Sequence, residues 1–301
     1  MELRHLHYFI AVAEELHFSR AAKRLNISQP PLSQQIRQLE EEIGVRLFNR
    51  TKRRVELTSA GQIFLAEARR ILAMSEDAVH RTVRADKGEI GQLAMGFIGS
   101  ANFSVLPQVI REFRRRFPDV EITLTEMNTS QQIEAILDGR LQVGFLRPPQ
   151  GIEHEGIAAE AIFREPLMVA MPGNHALRGE SSIPLRLLAR EPFIMIPRQR
   201  GPGFFDYIIA LCQQEGFSPN VVLEASQFHT IVGLVAAGIG LAIMPASMQR
   251  SRIEGVVFRT LAGEAVTVLK IAWLADNRSL VLHNLLDVAR KVVRSLKPPR
   301  S

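Results

Sequence analysis

The sequence predicts a mixed α/β chain in three parts: a small, mainly helical head, one long helix, and a larger body of parallel sheets covered by helices. Three observations carry that reading. Up to residue 44, apolar side chains recur at the three-and-four spacing of α-helices. Residues 58 to 88 hold a heptad-like seam without a break. From Gln92 onward, apolar runs of strand length alternate with helix-period segments, the pattern of strands packed between helices. With 301 residues and 46% hydrophobic content, the chain is large enough for two or three compact cores.

The first helix is expected where Leu3, Leu6, Ile10, Ala13 and Leu16 form an amphipathic stripe. A short second helix follows in "FSRAAKRLNI", residues 18 to 27. Ser19 is its expected N-cap, Phe18, Ala22 and Leu25 turn inward, and Asn26 closes it because asparagine tolerates left-handed backbone. The third helix starts near Gln29 with Ser28 as N-cap. Pro30 and Pro31 fit its first turn, where amides have no intrahelical partner. Leu32, Ile36, Leu39 and Ile43 make the inner stripe, leaving Pro30, Ser33, Gln34, Arg37 and Glu41 on the opposite face. Taken alone, such a face is a solvated surface. Behind a short helix and a turn, it matches the second helix of a helix-turn-helix, which enters the DNA major groove N-terminus first.

Next, "VRLFNRTKRRVELT" places Leu47 and Phe48 on one edge strand and Val55 and Leu57 on another. Arg50, Lys52, Arg53 and Arg54 crowd the turn between them. Like charges in so tight a turn repel one another, and a polyanion relieves the repulsion while shedding its counterions. The head thus reads as a winged helix-turn-helix over residues 1 to 58, with double-stranded DNA as its partner.

The stretch "MELRHLHYFIAVAEELHFSRAAKRLNISQPPLSQQIRQLEEEIGVRLFNR" resembles the N-terminal domain of LysR-type transcriptional regulators. The resemblance implies that Ser33, Gln34 and Arg37 read bases and that Arg53 and Arg54 grip the backbone or minor groove. Ser19, Gln29, Pro30, Arg50 and Lys52 complete the expected DNA-facing set. Many relatives carry arginine where this chain has Gln34, so the base preference at that contact does not carry over.

In the long helix of residues 59 to 88, capped by Thr58, the seam is Phe64, Ala68, Ile71, Ser75, Ala78, Thr82 and Ala85, flanked by Leu65, Leu72 and Val79. About four heptads of apolar stripe beside so small a domain need cover, either from a second chain or from the later body. DNA readers of this type engage paired half-sites, and the resemblance implies a linker helix that pairs protomers, so dimerisation is the favoured expectation. Gly88 and Gly91 are expected to mark a linker.

The body, residues 89 to 301, opens with "LAMGFIG", "VEITLTEMN" and "VGFLR" as strands separated by "LPQVIREFRRRFP" and "SQQIEAILDG" as helices. "LMVAMP", "FIMIP", "VVLEA" and "GLAIMP" repeat the scheme around stretches such as "TIVGLVAAG". The final strand "VTVLKIAWLAD" and helix "LVLHNLLDVARKVV" return to the first lobe. The resemblance implies two Rossmann-like lobes of periplasmic-binding-protein type joined by two crossovers. Lobe I is placed at 89–161 plus 267–301 and lobe II at 162–266, with hinges near residues 162 and 266.

In open α/β sheets a ligand lies beyond the carboxyl ends of the strands, where helix N-termini favour anions. Ser100, Ala101 and Asn102 after the first strand, Thr129 opening a helix, and Arg147 just past "VGFL" fit that geometry. Arginine can hold a carboxylate in bidentate fashion. Across the cleft, "GPGFF" supplies Pro202, Gly203 and Phe204. A carboxylate at one end and an aromatic surface at the other indicate an aromatic or unsaturated organic acid. The chain is most similar to regulators responding to benzoate, muconate or chlorocatechol metabolites, and Ser100, Thr129, Arg147 and Phe204 correspond to effector contacts there, with Gln227 a further candidate. A second aromatic-acid site in part of that subgroup uses a tyrosine near the C-terminus; this chain has only Tyr8 and Tyr207.

Other function classes lack their signatures. No GxSxG, GxxxxGK[ST] or HExxH motif is present, so an enzyme is not expected. Cys212 is the only cysteine, which excludes an internal disulfide and a multi-cysteine metal site, and no cofactor is implied. His5 and His7 read as packing or surface residues. Residues 1 to 88 hold fifteen Lys or Arg against eleven Asp or Glu, a balance of +4 out of the total +6. No apolar run is long enough to span a bilayer and no charged leader precedes one, so a soluble, cytoplasmic protein is expected. The combined expectation is a transcriptional regulator, probing DNA through its head and an organic-acid effector through its body. The resemblance implies a homodimer or homotetramer, with RNA polymerase as a further partner. The contrasting reading, a solute-binding module for a small organic anion, accounts for the body but leaves the helix-turn-helix without a use.

Overall fold

The structure is a computed structural model and describes residues 1–51, 54–148 and 154–296. The chain divides into two compact units, residues 1–84 and 85–301. In the first, α1 (Leu3–Glu15), α2 (Phe18–Arg24) and α3 (Gln29–Ile43) precede the antiparallel pair β1 (Phe48–Arg50) and β2 (Val55–Leu57), and α4 (Ser59–Asp86) follows. Leu6, Phe9, Val12, Leu32, Ile36, Leu39 and Phe48 are buried together. The Phe9 ring lies 5.2 Å from Phe48 and 5.0 Å from Phe64, so one aromatic side chain joins α1, the wing and α4.

The buried stripe of α1 is rotated from the expected one. Leu6, Phe9, Val12 and Ala13 face inward, whereas Leu3 and Leu16 are each 46% exposed. Leu16 has left the helix: it is the C-cap, with φ 47°. The cap of α2 also differs from expectation. His17 takes that place, its Nδ1 accepting from the amides of Ser19 and Arg20 at 3.2 and 3.4 Å, and Ser19 sits inside the first turn with its side chain exposed. Asn26 is left-handed with φ 54°, as the turn requires. His5 is buried and lies 2.8 Å from the side-chain oxygen of Gln35, tying α1 to α3.

Thr58 caps α4 by accepting from the amide of Gly61 at 2.9 Å. The first half of the expected seam, Phe64, Ala68 and Ile71, packs on the core of the unit's own helices. Phe9 and its neighbours reach it first, which a heptad count along one helix does not reveal. Farther along, Met74, Val79 and Val83 remain exposed.

The second unit contains β3 (Ile90–Phe97), α5 (Leu106–Arg116), β4 (Asp119–Glu126), α6 (Thr129–Leu137), β5 (Val143–Leu146), β6 (Ile157–Pro172), β7 (Ser182–Ile183), β8 (Pro192–Met195), α7 (Pro202–Gln214), β9 (Asn220–Glu224), α8 (Phe228–Ala236), β10 (Ala242–Pro245), β11 (Val256–Leu261), β12 (Val266–Leu274) and α9 (Leu280–Ser295). Strand order is β4-β3-β5-β12-β6-β11-β7, with β10 also on β6. Within lobe I, β3 is parallel to β4 and β5; within lobe II, β8 is parallel to β9. The connecting strands are antiparallel, which the expectation of purely parallel sheets missed. β6 pairs with β12 over Ile157–Pro166 and with β10 and β11 over 167–172, so one strand serves both lobes. Its register with β12 shifts between Leu269 and Lys270, where Ile162 is passed over.

Gly88 does not act as a loose linker. Its φ is +66° and an added Cβ would lie 2.6 Å from the backbone of Leu280, while Asn284 Nδ2 donates to the carbonyls of Lys87 and Gly88 at 3.0 and 3.1 Å. The entry to β3 is therefore fastened to α9.

Close backbone approach also fixes Gly61, where a Cβ would stand 2.1 Å from the carbonyl oxygen of Leu47. Gly61→Ala is expected to push α4 off the wing and to destabilise the head by about 1–3 kcal/mol, the range for overpacking a tight site. Urea unfolding of the full chain reads this as a lower midpoint; an unchanged midpoint contradicts the packing described.

Candidate DNA-reading face and ligand cleft

The inner side of α3 is fully committed, since Leu32, Ile36 and Leu39 are completely buried. Its outer side is open. Gln29, Pro30, Gln34 and Arg37 are exposed and Ser33 is half-buried, and among the described residues the side chains of Ser33, Gln34 and Arg37 make no hydrogen bond or ion pair. An unsatisfied row of donors and acceptors at the leading end of a helix is what base-edge recognition requires.

Arg50, expected on the DNA-facing turn, is instead held inward. Glu40 Oε1 accepts from the amides of Leu47 and Phe48 at 2.9 and 3.0 Å, and its Oε2 takes Arg50 Nη2 at 2.6 Å, while the guanidinium lies 4.9 Å from the centre of the Phe18 ring. Burial lowers the pKa of Arg50 from its ordinary value, opposed by Glu40 and assisted by Arg37 and Arg46. A carboxylate anchored by two backbone amides is stabilised further by a charge-assisted bond, and Arg50 supplies it. Arg54 pairs with Glu56 at 2.8 Å but stays exposed at the surface. Lys52 and Arg53 lie outside the described residues.

In the second unit, a cleft of about 720 Å³ separates the lobes. From lobe I it is lined by Ser100, Thr129 and Arg147, and from lobe II by Pro202, Gly203, Phe204 and Gln227. Ala101 and Asn102 do not reach it. Ala101 is completely buried in the lobe I core, and Asn102 faces outward beside Arg111 and Arg114 on α5. A short 3-10 turn, Gly99–Phe103, follows β3, so consecutive side chains point in different directions and only Ser100 faces the cleft.

Arg147 is not a waiting carboxylate receptor. Its Nη2 donates to Glu165 Oε1 at 2.5 Å, its Nη1 to Thr267 Oγ1 at 2.9 Å, and its Nε approaches Ser100 Oγ at 3.4 Å. Glu165 Oε2 in turn accepts from the amide of Ser247 at 2.6 Å. Both charges are buried, with side-chain exposure of 7% and 0%. Burial lowers the Arg147 pKa and Glu165 opposes that shift; a guanidinium stays protonated all the same. The pair joins the end of β5 to both crossover strands and, through Ser247, to lobe II. Thr129 Oγ1 completes the floor, 3.3 Å from both the amide and the carbonyl oxygen of Arg147.

Several lining residues were missed by sequence reasoning. Arg198 pairs with Asp206 at 2.7 and 3.0 Å, whereas Arg200 makes no side-chain ion pair among the described residues. The basic run "RQRG" just before a helix start was the available signal. Asn128 caps α6 by accepting from the amide of Gln131 at 2.9 Å. By contrast, α7 and α8 begin at Pro202 and Phe228 without any side-chain cap, and both of these residues line the cleft. Cys212 is buried in lobe II, where burial pushes its thiol up to about 11. Among the described residues no cluster could hold a metal ion, and no helix is long and apolar enough to cross a membrane.

A helix-turn-helix with an open reading face, in one chain with a two-lobed cleft for a small molecule, defines a ligand-responsive DNA-binding regulator. Comparison with known proteins gives its family. Residues 3–62 match the bacterial regulatory helix-turn-helix protein, lysR family, and residues 86–294 match the LysR substrate binding domain. The chain belongs to the LysR family of transcriptional regulators, which are not enzymes. It is 42% identical over 290 residues to the HTH-type transcriptional regulator AlsR of Bacillus subtilis (strain 168), covering 96% of this chain and 95% of that protein. It is 38% identical over 293 residues to TfdS of Cupriavidus pinatubonensis, covering 97% and 98%. The crystal structure of CbnR superposes with a TM-score of 0.88 at 32% identity, covering 96% of this chain and 100% of that one, and full-length CbnR complexed with its target DNA gives 0.87 at 31%, covering 97% and 100%.

Two outcomes test these sites. Arg37→Ala is expected to lose roughly 1–3 kcal/mol of discrimination between specific and altered operators, the worth of a bidentate base contact; footprinting that shows an unaltered preference removes Arg37 from the reading set. Glu165→Leu strands a buried cation and is expected to cost about 3–5 kcal/mol in urea unfolding, while Arg147→Met with Glu165→Leu recovers most of it. A double variant as unstable as the single one contradicts the pairing.

Proposed function

We propose that this regulator is controlled by an aromatic or unsaturated carboxylic acid bound between the lobes. The carrying observation is that one cleft brings polar and aromatic groups together: the hydroxyls of Ser100 and Thr129 come from lobe I, and the Phe204 and Phe228 rings with Ile196, alongside the polar Gln227 and Arg200, from lobe II. With the Arg147 charge offset by Glu165, the acid group is held by the Ser100 and Thr129 hydroxyls, and Arg200, which makes no ion pair among the described residues, adds positive charge from the lobe II side. The likeness to regulators of benzoate, muconate and chlorocatechol metabolism points to the same ligand class.

The acid acts by population shift: it favours whichever lobe arrangement it binds better, and by no more than the difference in binding free energy. Exposed Met74, Val79 and Val83 along α4 support pairing of protomers through that helix, and a dimer or tetramer then spans paired half-sites on promoter DNA in the cytoplasm. Relatives named "Hca operon transcriptional activator HcaR" (Escherichia coli, 38% identical over 297 residues) and "Probable cat1 operon transcriptional activator" (Acinetobacter lwoffii, 37% over 270) favour activation, with RNA polymerase as the further partner.

A thermal-shift screen of aromatic and dicarboxylic acids against the full chain is expected to find at least one selective stabiliser. A ligand present at a hundred times its Kd contributes about 2.7 kcal/mol to the folded state. Ser100→Ala is expected to abolish that shift. If no acid shifts the wild-type protein, or Ser100→Ala responds as wild type does, the reading fails.

A further inference from the structure

Gln132 in α6 is completely buried, and only half of its side-chain amide is used. Nε2 donates to the carbonyl oxygen of Met127 at 2.9 Å and to that of Phe145 at 3.2 Å, while Oε1 accepts no hydrogen bond among the described residues. Two carbonyls at one end identify that end as the nitrogen, since the reversed amide would set oxygen against both. Oε1 lies instead against Gly96 and Gly144, which pair in register on β3 and β5. A Cβ on Gly144 would stand 2.6 Å from Oε1, and one on Gly96 would stand 2.9 Å from the Gln132 Cγ. Only glycines leave room for this side chain to lie across the sheet. An unpaired buried acceptor costs stability, and an apolar side chain of the same length avoids that cost, so core stability does not account for an amide here.

The two carbonyls belong to strand exits on opposite sides of β3, because the strand order is β4-β3-β5. Met127 follows β4 and leads to Thr129, and Phe145 precedes Arg147 at the end of β5. The exit of β3, which leads to Ser100, is bonded to both neighbours: the Met127 amide donates to Phe97 and the Ile98 amide to Phe145, each at 3.0 Å. Gln132 closes this ring by joining the two outer exits past the middle one. We infer that Gln132 is the positioning residue of the effector site, a buried tie that holds Ser100, Thr129 and Arg147 in one constellation without itself lining the cleft. This rests on the acid-binding reading of the cleft and adds the side chain that sets its geometry.

The test is amide hydrogen exchange of the full-length protein, resolved to single residues by mass spectrometry, with urea unfolding alongside, on wild type, Gln132→Met and Leu141→Ala. Gln132→Met keeps the length of the side chain and removes both donors. It is expected to hasten exchange roughly tenfold or more at the amides of Ile98, Met127 and Arg147, while its urea midpoint stays at or above that of wild type. Leu141→Ala trims the neighbouring side chain that also lies against Gly96, and is expected to lower the midpoint without that selective change. Gln132→Asn, whose amide stops one methylene short of the carbonyls, repeats the measurement should the methionine variant not fold. Wild-type exchange at the three amides in a folded Gln132 variant, equal acceleration in Leu141→Ala, or failure of both Gln132 variants to fold overturns the inference. Benzoate, titrated calorimetrically, is expected to bind Gln132→Met roughly tenfold more weakly than wild type, and equal affinity also overturns it. Benzoate that binds no form counts against the acid-binding reading alone, because the exchange measurement contains no ligand and decides the tie by itself.

Discussion

The buried pair of Arg147 and Glu165 is the constraint on which the effector unit is arranged. Removing an isolated charge from water costs several kcal/mol even after relaxation, so neither group is tolerated inside without the other. Each is then used as a fastening. Arg147 at the end of β5 reaches Thr267 on β12 and Glu165 on β6, and Glu165 reaches the amide of Ser247 beyond β10. Both crossovers and one segment of each lobe therefore meet at a single neutral knot. An ion pair so placed adds little net stability compared with apolar residues of the same volume; its physical contribution is register, because only one arrangement satisfies both charges. The cleft above inherits an electrically balanced floor, with the hydroxyls of Ser100 and Thr129 beside it.

The head uses the same device with the opposite outcome for its surface. Glu40 consumes two backbone amides and Arg50, fixing the wing strand to α3. Among the described residues, the side chains of Ser33, Gln34 and Arg37 are left without a bonding partner. A helix whose inner stripe is wholly buried cannot rotate to hide its outer one, so the burial of Leu32, Ile36 and Leu39 is what keeps Gln34 and Arg37 exposed. Satisfied charges inside and unsatisfied polar groups outside are two halves of one arrangement.

Much of this was legible in the sequence where local physics decides. The position of α3, the left-handed Asn26 and the wing strands follow from spacing and turn chemistry within a few residues. The first half of β6 and all of β11 escaped. "IAAEAIFREP" carries charges at Glu160, Arg164 and Glu165 that interrupt any apolar run, and two of these are offset by partners distant in sequence: Arg290 at 2.8 Å and Arg147 at 2.5 Å. The same non-local pairing defeated the assignment of Arg147. From its position it belongs at the cleft, and it does line it; that its charge is already offset depends on a glutamate eighteen residues away on another strand. The long helix α4 was legible from its seam; that the head's own aromatic core covers Phe64, Ala68 and Ile71 was not, for a related reason.

That the cleft is lined from both lobes matters because a small effector has little energy to give. To swing an equilibrium between lobe arrangements from about 1:99 to 99:1, a ligand must favour one state by roughly 5.5 kcal/mol. A small acid binds with at most about 1.5 kcal/mol per heavy atom, and larger ligands fall toward about 0.3. A large share of its total binding energy must therefore differ between the two states. Contacts with one lobe alone do not differ, because they travel with that lobe. Only a ligand that touches both has leverage, and the cleft is lined from both lobes, by Ser100 and Thr129 on one side and by Phe204 and Gln227 on the other. With the base held by the Arg147–Glu165 knot, the crossover pairing of β6 with β12 runs in regular register on either side of the shift between Leu269 and Lys270.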